Sequence, residues 1–121
     1  MDKKVTIEEL KEKVKKFCED RDWDQFHNPK ELAIGISTEA NELLELFRFK
    51  SEDDMKKIMN SDKKTAVEEE LADVLYFVLR FAQMNDIDLS RTIENKIEKN
   101  DKKYPIEKSK GSNKKYNEYI I

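Results

Sequence analysis

Glu39-x-x-Glu42 and Glu70-x-x-Asp73 set four carboxylates where helical periodicity calls for apolar side chains. Residues three apart share a helix face. The first pair lies along the stripe of Leu32, Ile36, Leu43 and Leu46, and the second shares a side with Val67, Val74 and Phe77. Anions gathered toward an interior repel one another and resist losing their water. A divalent cation is the simplest compensation, and an all-oxygen ligand set suits magnesium. The spacing therefore predicts a magnesium site between two antiparallel helices. Chance E-x-x-E pairs are common in charged helical chains, and the competing reading is a solvated acidic face. That reading better describes Glu8, Glu9, Glu12, Glu68 and Glu69, which have lysines nearby or face outward. Two pairs on two apolar stripes favour the metal site.

The helices that would carry these pairs follow from composition. In 121 residues, 42% are charged and 37% hydrophobic, with two glycines and two prolines, so turn signals for a sheet are scarce and the expected class is all-α. Thr6 and Glu9 mark a helix start, followed by Leu10, Val14, Phe17 and Cys18 on one stripe to about residue 20. Residues 21–27 break the period and concentrate aromatic rings, which reads as a loop. Asn28 caps the next helix, with Pro29 at its first position and Glu31 three beyond the cap, and this helix is expected to reach about Lys50. Ser51 leads a short helical segment to Met59. A third long helix is expected from about Lys64 to Met84, and a fourth, capped by Asp88 or Ser90, stops before Pro105. Residues 1–107 form the expected helical domain and residues 108–121 a polar, mobile C-terminal tail.

Several classes are disfavoured. A net charge of −3 offers no broad basic field for polymeric nucleic acid, although the lysine-rich end could hold a small polyanion. Cys18 is the sole cysteine, so an internal disulfide and a thiolate zinc site lack partners. No apolar stretch approaches the roughly 20 residues that span a bilayer, and no signal-peptide core is evident at the N-terminus, so a cytoplasmic protein without a membrane anchor is expected. Modest apolar content on amphipathic helices suggests that a second copy covers some faces.

Glycine-rich phosphate loops are missing: Gly35 lies within a predicted helix and Gly111 in the tail. Phosphate binding would therefore fall to metal and side chains. Lys96, Asn100 and Lys103, spaced by four and three, can share a face near Tyr104, although lysines also gather at helix C-termini for dipole reasons. Trp23, Phe26, His27 and Phe49 could sandwich a base, or simply fill a core.

The blocks Arg21-Asp-Trp-Asp-Gln-Phe-His27, Glu39-Ala-Asn-Glu42-Leu-Leu-Glu-Leu-Phe47, Glu69-Glu70-Leu-Ala-Asp73-Val-Leu75 and Lys96-Ile-Glu-Lys-Asn100-Asp-Lys-Lys-Tyr104-Pro105 resemble the MazG-like all-α nucleoside triphosphate pyrophosphohydrolases, in particular their short dCTP pyrophosphatase branch. The resemblance covers residues 6–116, with 27 residues between Glu42 and Glu70. It implies a four-helix bundle that is oligomeric, a tetramer of two dimers being favoured over a dimer, with sites at subunit contacts. It implies Glu39, Glu42, Glu70 and Asp73 as catalytic magnesium ligands. Trp23, His27 and Phe49 would lie near base and sugar, and Lys50, Lys96, Asn100, Lys103 and Tyr104 near the phosphates. Three positions depart from relatives in that branch: Phe49 replaces a common tryptophan, Lys103 an arginine, and Val14 stands where some place a polar base contact. The implied reaction is water attack on the α-phosphorus of a (deoxy)nucleoside triphosphate, dCTP or a related one, in a house-cleaning or salvage role. Glu39 or Glu42 would orient the water. A non-catalytic helical interaction module is the alternative. A di-iron bundle is weaker, since it uses E-x-x-H pairs and His27 is in none.

Overall fold

In a computed structural model the chain is helical, and no strand occurs among the residues the structure describes, 1–119. Side chains that bond nearby backbone fix where helices begin. Thr6 Oγ1 accepts the Glu9 amide at 3.1 Å and starts α1 (Ile7–Asp20). After a 3-10 turn at Asp24–Phe26, Asn28 Oδ1 accepts the Glu31 amide at 2.8 Å and Pro29 opens α2 (Pro29–Glu45). Ser51 and Asp54 form a reciprocal capping box at the head of α3 (Glu52–Met59). The long α4 (Lys64–Met84) follows, and Asp88 rather than Ser90 caps α5 (Leu89–Lys103). A short α6 (Ile106–Ser109) and a 3-10 turn (Tyr116–Glu118) complete the order.

The second helix ends at Glu45, five residues before the expected Lys50. The Leu46 and Phe47 amides bond three residues back, to the Leu43 and Leu44 carbonyls, which tightens the last turn. Phe49 then adopts φ 61°, a left-handed conformation that an α-helix cannot propagate through a bulky residue. Leu46 continues the apolar period without a glycine or proline, so periodicity alone overruns this stop.

The chain divides into two compact units, Met1–Asp86 and Ile87–Ile121. In the first, α4 is central and packs against α2, α1 and α3. Cys18, Leu32, Val67, Leu79 and Ala82 are buried. Arg80, only 1% exposed, joins them: Nε donates to His27 Nδ1 at 3.0 Å, Nη1 to Gln83 Oε1 at 2.6 Å, and Nη2 to Asp24 Oδ1. These bonds satisfy a buried cation and tie the 24–27 turn to α4. Gly35 sets the spacing of the other wall, since a Cβ there would come within 2.6 Å of the Phe77 ring. Helix-interior glycine costs about 1 kcal/mol relative to alanine. Close approach of α2 to Phe77 accounts for it here.

In the second unit, Tyr104 packs edge-on against Tyr116 and Tyr119, and the Ser109 and Tyr119 hydroxyls lie 2.6 Å apart. Residues of the expected tail thus fold back within their own unit, apart from residues 120 and 121, which lie outside those described. No helix among the described residues is long and apolar enough to cross a membrane.

Candidate active site

One turn beyond Gly35 on α2 stands Glu39, and one turn before Phe77 on α4 stands Asp73, so the glycine contact that closes the helices also brings their carboxylates together. Glu39, Glu70 and Asp73 each offer an oxygen within 4.8 Å of the others. Glu39 and Glu70 are half-buried, whereas Glu42 and Asp73 are exposed, so each motif sends one acid inward and keeps one at the surface. Glu39 Oε2 and Glu70 Oε2 are buried and have no hydrogen-bond partner among the described residues.

The electrostatics carry the strain of that arrangement. Burial, a hydrogen bond with Glu42 and the charges of Glu42, Asp73 and Glu70 push the Glu39 carboxyl up to about 7. Burial and Glu42 likewise raise Glu70, with Asp73 adding to the effect. Glu42 therefore acts on both half-buried acids although it lies outside the closest trio. Unpartnered buried oxygens on converging carboxylates fit a hard divalent cation, with Glu39, Glu70 and Asp73 as the converging ligands and Glu42 beside them.

A pocket of about 480 Å³ opens from this cluster, and Glu39 and Asp73 belong to both. Its remaining lining is Lys13, Val14, Phe17, Trp23, Tyr76 and Phe77. The rings interlock edge to face: Phe17 meets Trp23 at 5.7 Å and Tyr76 at 6.0 Å, and Tyr76 meets Phe77 at 5.0 Å. Tyr76 Oη is 3.0 Å from the buried Cys18 Sγ, and burial first, then that contact, push the phenol well above its usual range. The size and aromatic walls suit a nucleobase, with the acids where an attached polyphosphate would meet a cation.

Of the other residues singled out from sequence, Trp23 lines this pocket. His27 sits behind it, its ring 6.3 Å from Trp23 and its Nδ1 taken by Arg80. Phe49 is 91% exposed, with the Arg48 guanidinium 4.7 Å from its ring centre. Lys50 lines a second cavity, of about 660 Å³, with Lys57, Lys63 and Asp54 among its neighbours. Lys96, Asn100, Lys103 and Tyr104 belong to the second unit, where Lys103 Nζ lies 4.9 Å from the Tyr116 ring centre. Sequence reasoning passed over Phe17, Tyr76, Phe77, Lys13 and Arg80 as site residues. Arg80 had left a signal, a lone charge inside the apolar run of residues 74–82.

Residues 34–119, which include both acidic pairs, match the model of the MazG-like family. The chain belongs to the MazG-like family. Among proteins it is similar to, dCTP pyrophosphatase 1 of Rattus norvegicus is 35% identical over 112 residues, 92% of this chain and 66% of the rat protein. The Homo sapiens dCTP pyrophosphatase 1 is 32% identical over 114 residues, 93% of this chain and 67% of the human one. The chain thus spans about two thirds of the length of these relatives. Among solved structures, a pyrophosphatase from Archaeoglobus fulgidus superposes with a TM-score of 0.77 at 39% identity, covering 82% of this chain and 92% of that one. The all-helical class of this chain is consistent with that likeness.

Proposed function

We propose that this chain is a magnesium-dependent nucleoside triphosphate pyrophosphohydrolase, with dCTP or a related deoxynucleoside triphosphate among its substrates and a nucleoside monophosphate and pyrophosphate as products. One observation carries the reading: the converging acids Glu39 and Asp73 also form one end of an aromatic pocket of nucleoside size. The names of the rat and human relatives supply dCTP, and that of the archaeal one the pyrophosphatase reaction.

Glu39, Glu70 and Asp73 would hold the metal, with Glu42 completing the set. Bound magnesium supplies charge compensation for the triphosphate and Lewis acidity at the reacting phosphoryl group. The chain's own groups do the rest. Trp23 and its aromatic neighbours hold the nucleoside end, which fixes the α-phosphorus over the acids. Glu42, exposed beside the trio, orients the attacking water and accepts its proton. The assignment of Lys50, Lys96, Asn100, Lys103 and Tyr104 to the phosphates rests on the resemblance of their sequence blocks to the family alone.

The four-helix bundle and its assembly as a homo-oligomer, a tetramer of two dimers, belong to the same proposal. Its support is apolar surface left open in the single chain: Leu44 is 60% and Leu71 57% exposed, with Ile34 and Leu75 also open. Positioned general bases contribute about 10²–10⁴-fold, so Glu42→Gln should lower turnover by at least about a hundredfold with the helical circular dichroism retained. Asp73→Asn should behave alike. Full activity in both folded variants would contradict the assignment.

A further inference from the structure

We propose that Arg80 is a positioning residue: lying outside the aromatic pocket, it holds the turn that carries Trp23, and through that turn it sets substrate affinity without touching the chemical step. The inference rests on the pyrophosphohydrolase reading and adds to it a residue that meets no substrate.

Residues 23–27 have little of their own to keep them in place. The 3-10 turn Asp24–Phe26 contributes no buried residue, and the Phe26 ring is exposed. On one side the backbone anchors the turn to α1, where the Trp23 amide donates to the Cys18 carbonyl at 3.0 Å. On the other side, the side-chain bonds that cross to α4 among the described residues both end on Arg80. Its Nε donates to His27 Nδ1 at 3.0 Å and its Nη2 to Asp24 Oδ1. Both acceptors bear on Trp23. Asp24 follows it in the chain, and the His27 ring meets its indole edge to face at 6.3 Å.

Stability does not account for a cation at this place. Arg80 lies inside the apolar run of residues 74–82 and is buried, and an apolar side chain of similar volume in place of a buried ion is often neutral or stabilising. Geometry does account for it. A guanidinium presents its donors in a fixed planar fork, so the bond from Nη1 to Gln83 Oε1 at 2.6 Å, one turn along α4, aims the remaining donors at the turn. Such a fork fixes direction as well as distance, which an apolar contact does not. Without it the turn samples other positions, and substrate meets a complete pocket only part of the time. A wall in place one time in about ten weakens apparent binding about tenfold. A loss of binding shared by ground state and transition state raises KM and leaves kcat unchanged.

The test compares wild type, Arg80→Met, Asp24→Ala and the double variant, as full chains with magnesium and the canonical deoxynucleoside triphosphate that the wild type turns over fastest. Arg80→Met should keep its helical circular dichroism, raise KM about tenfold or more and hold kcat within about threefold. Asp24→Ala changes an exposed residue and tests the same hold if Arg80→Met fails to fold; its KM should rise more than about threefold. The double variant should exceed Arg80→Met in KM by no more than about threefold, because both changes release one contact. Trp23 is the chain's one tryptophan, so acrylamide quenching of its fluorescence without substrate reports this turn alone, and it should increase in each folded variant. A residue that merely stabilised the fold would lower the melting temperature and move neither KM nor quenching. A KM within about threefold of wild type in a folded variant overturns the inference, as does unchanged quenching or a loss confined to kcat. No turnover of any of the four by the wild type would instead overturn the pyrophosphohydrolase reading, and the quenching of Trp23 would then decide whether Arg80 holds the turn.

Discussion

Glu39 Oε2 and Glu70 Oε2 are buried carboxylate oxygens without a hydrogen-bond partner among the described residues, and a bound cation would relieve both them and their mutual repulsion. Magnesium at a hundred times its dissociation constant would stabilise the folded chain by about 2.7 kcal/mol. A thermal melt should therefore rise on adding magnesium and return on adding EDTA. Glu70→Gln should lose most of that rise; an undiminished shift would place the ion elsewhere. His27 gives a pH signature of its own. Burial first, then Arg80, hold its pKa below the usual 6.5, partly offset by Asp24, and Nδ1 accepts from Arg80 Nε only while the ring is neutral. The unfolded chain therefore takes up this proton first, so the group's contribution is full at neutral pH and declines as pH falls below about 6.5. Melting temperature should drop less between pH 7.5 and 5.5 in His27→Gln, whose amide oxygen can still accept from Arg80. An equal or larger drop in the variant would remove His27 from the account.

At the scale of elements, the approach of α2 to α4 decides whether the acids meet. Gly35→Ala gains about 1 kcal/mol of helix propensity but forces a methyl into the Phe77 ring, and overpacking costs about 1–3 kcal/mol. The ring cannot swing clear, because even its Cγ would lie 2.9 Å from the new carbon. Net destabilisation by denaturant unfolding and a raised KM are expected together; a more stable variant with normal KM would show that the contact is not limiting. Asp24→Asn takes a charge from the bonds that dock the Trp23 turn, and weakening a bond to a buried guanidinium should cost about 1–3 kcal/mol. The starts of these helices were readable because Thr6, Asn28, Ser51 and Asp88 bond backbone only three residues away. The end of α2 was not, since Phe49's left-handed turn leaves no mark on the apolar period. Spacing put Glu39 and Glu70 on inward faces, where they lie half-buried, but it also turned Glu42 and Asp73 inward, and these two are exposed because each sits at the margin of its apolar stripe. The walls formed by Phe17, Tyr76 and Phe77 were not readable, because which ring meets which is set by packing between helices distant in sequence.

For the whole molecule, the small buried core beside exposed Ile34, Leu44, Leu71 and Leu75 is the physical argument for assembly. Light scattering after size exclusion should report an oligomer, and Leu71→Arg with Leu75→Arg should shift it toward monomer; a wild-type monomer would contradict the assembly. Under the proposed function this chain cleaves a nucleoside triphosphate between the α and β phosphates at the Glu39, Glu42, Glu70 and Asp73 cluster. Phosphorus NMR of the purified chain with magnesium and dCTP in ¹⁸O-labelled water tests it most directly. Pyrophosphate is expected together with dCMP carrying the label, and neither product from Asp73→Asn. Label in inorganic phosphate with dCDP, or no turnover of dCTP or any other canonical nucleoside triphosphate by a folded protein, would contradict it.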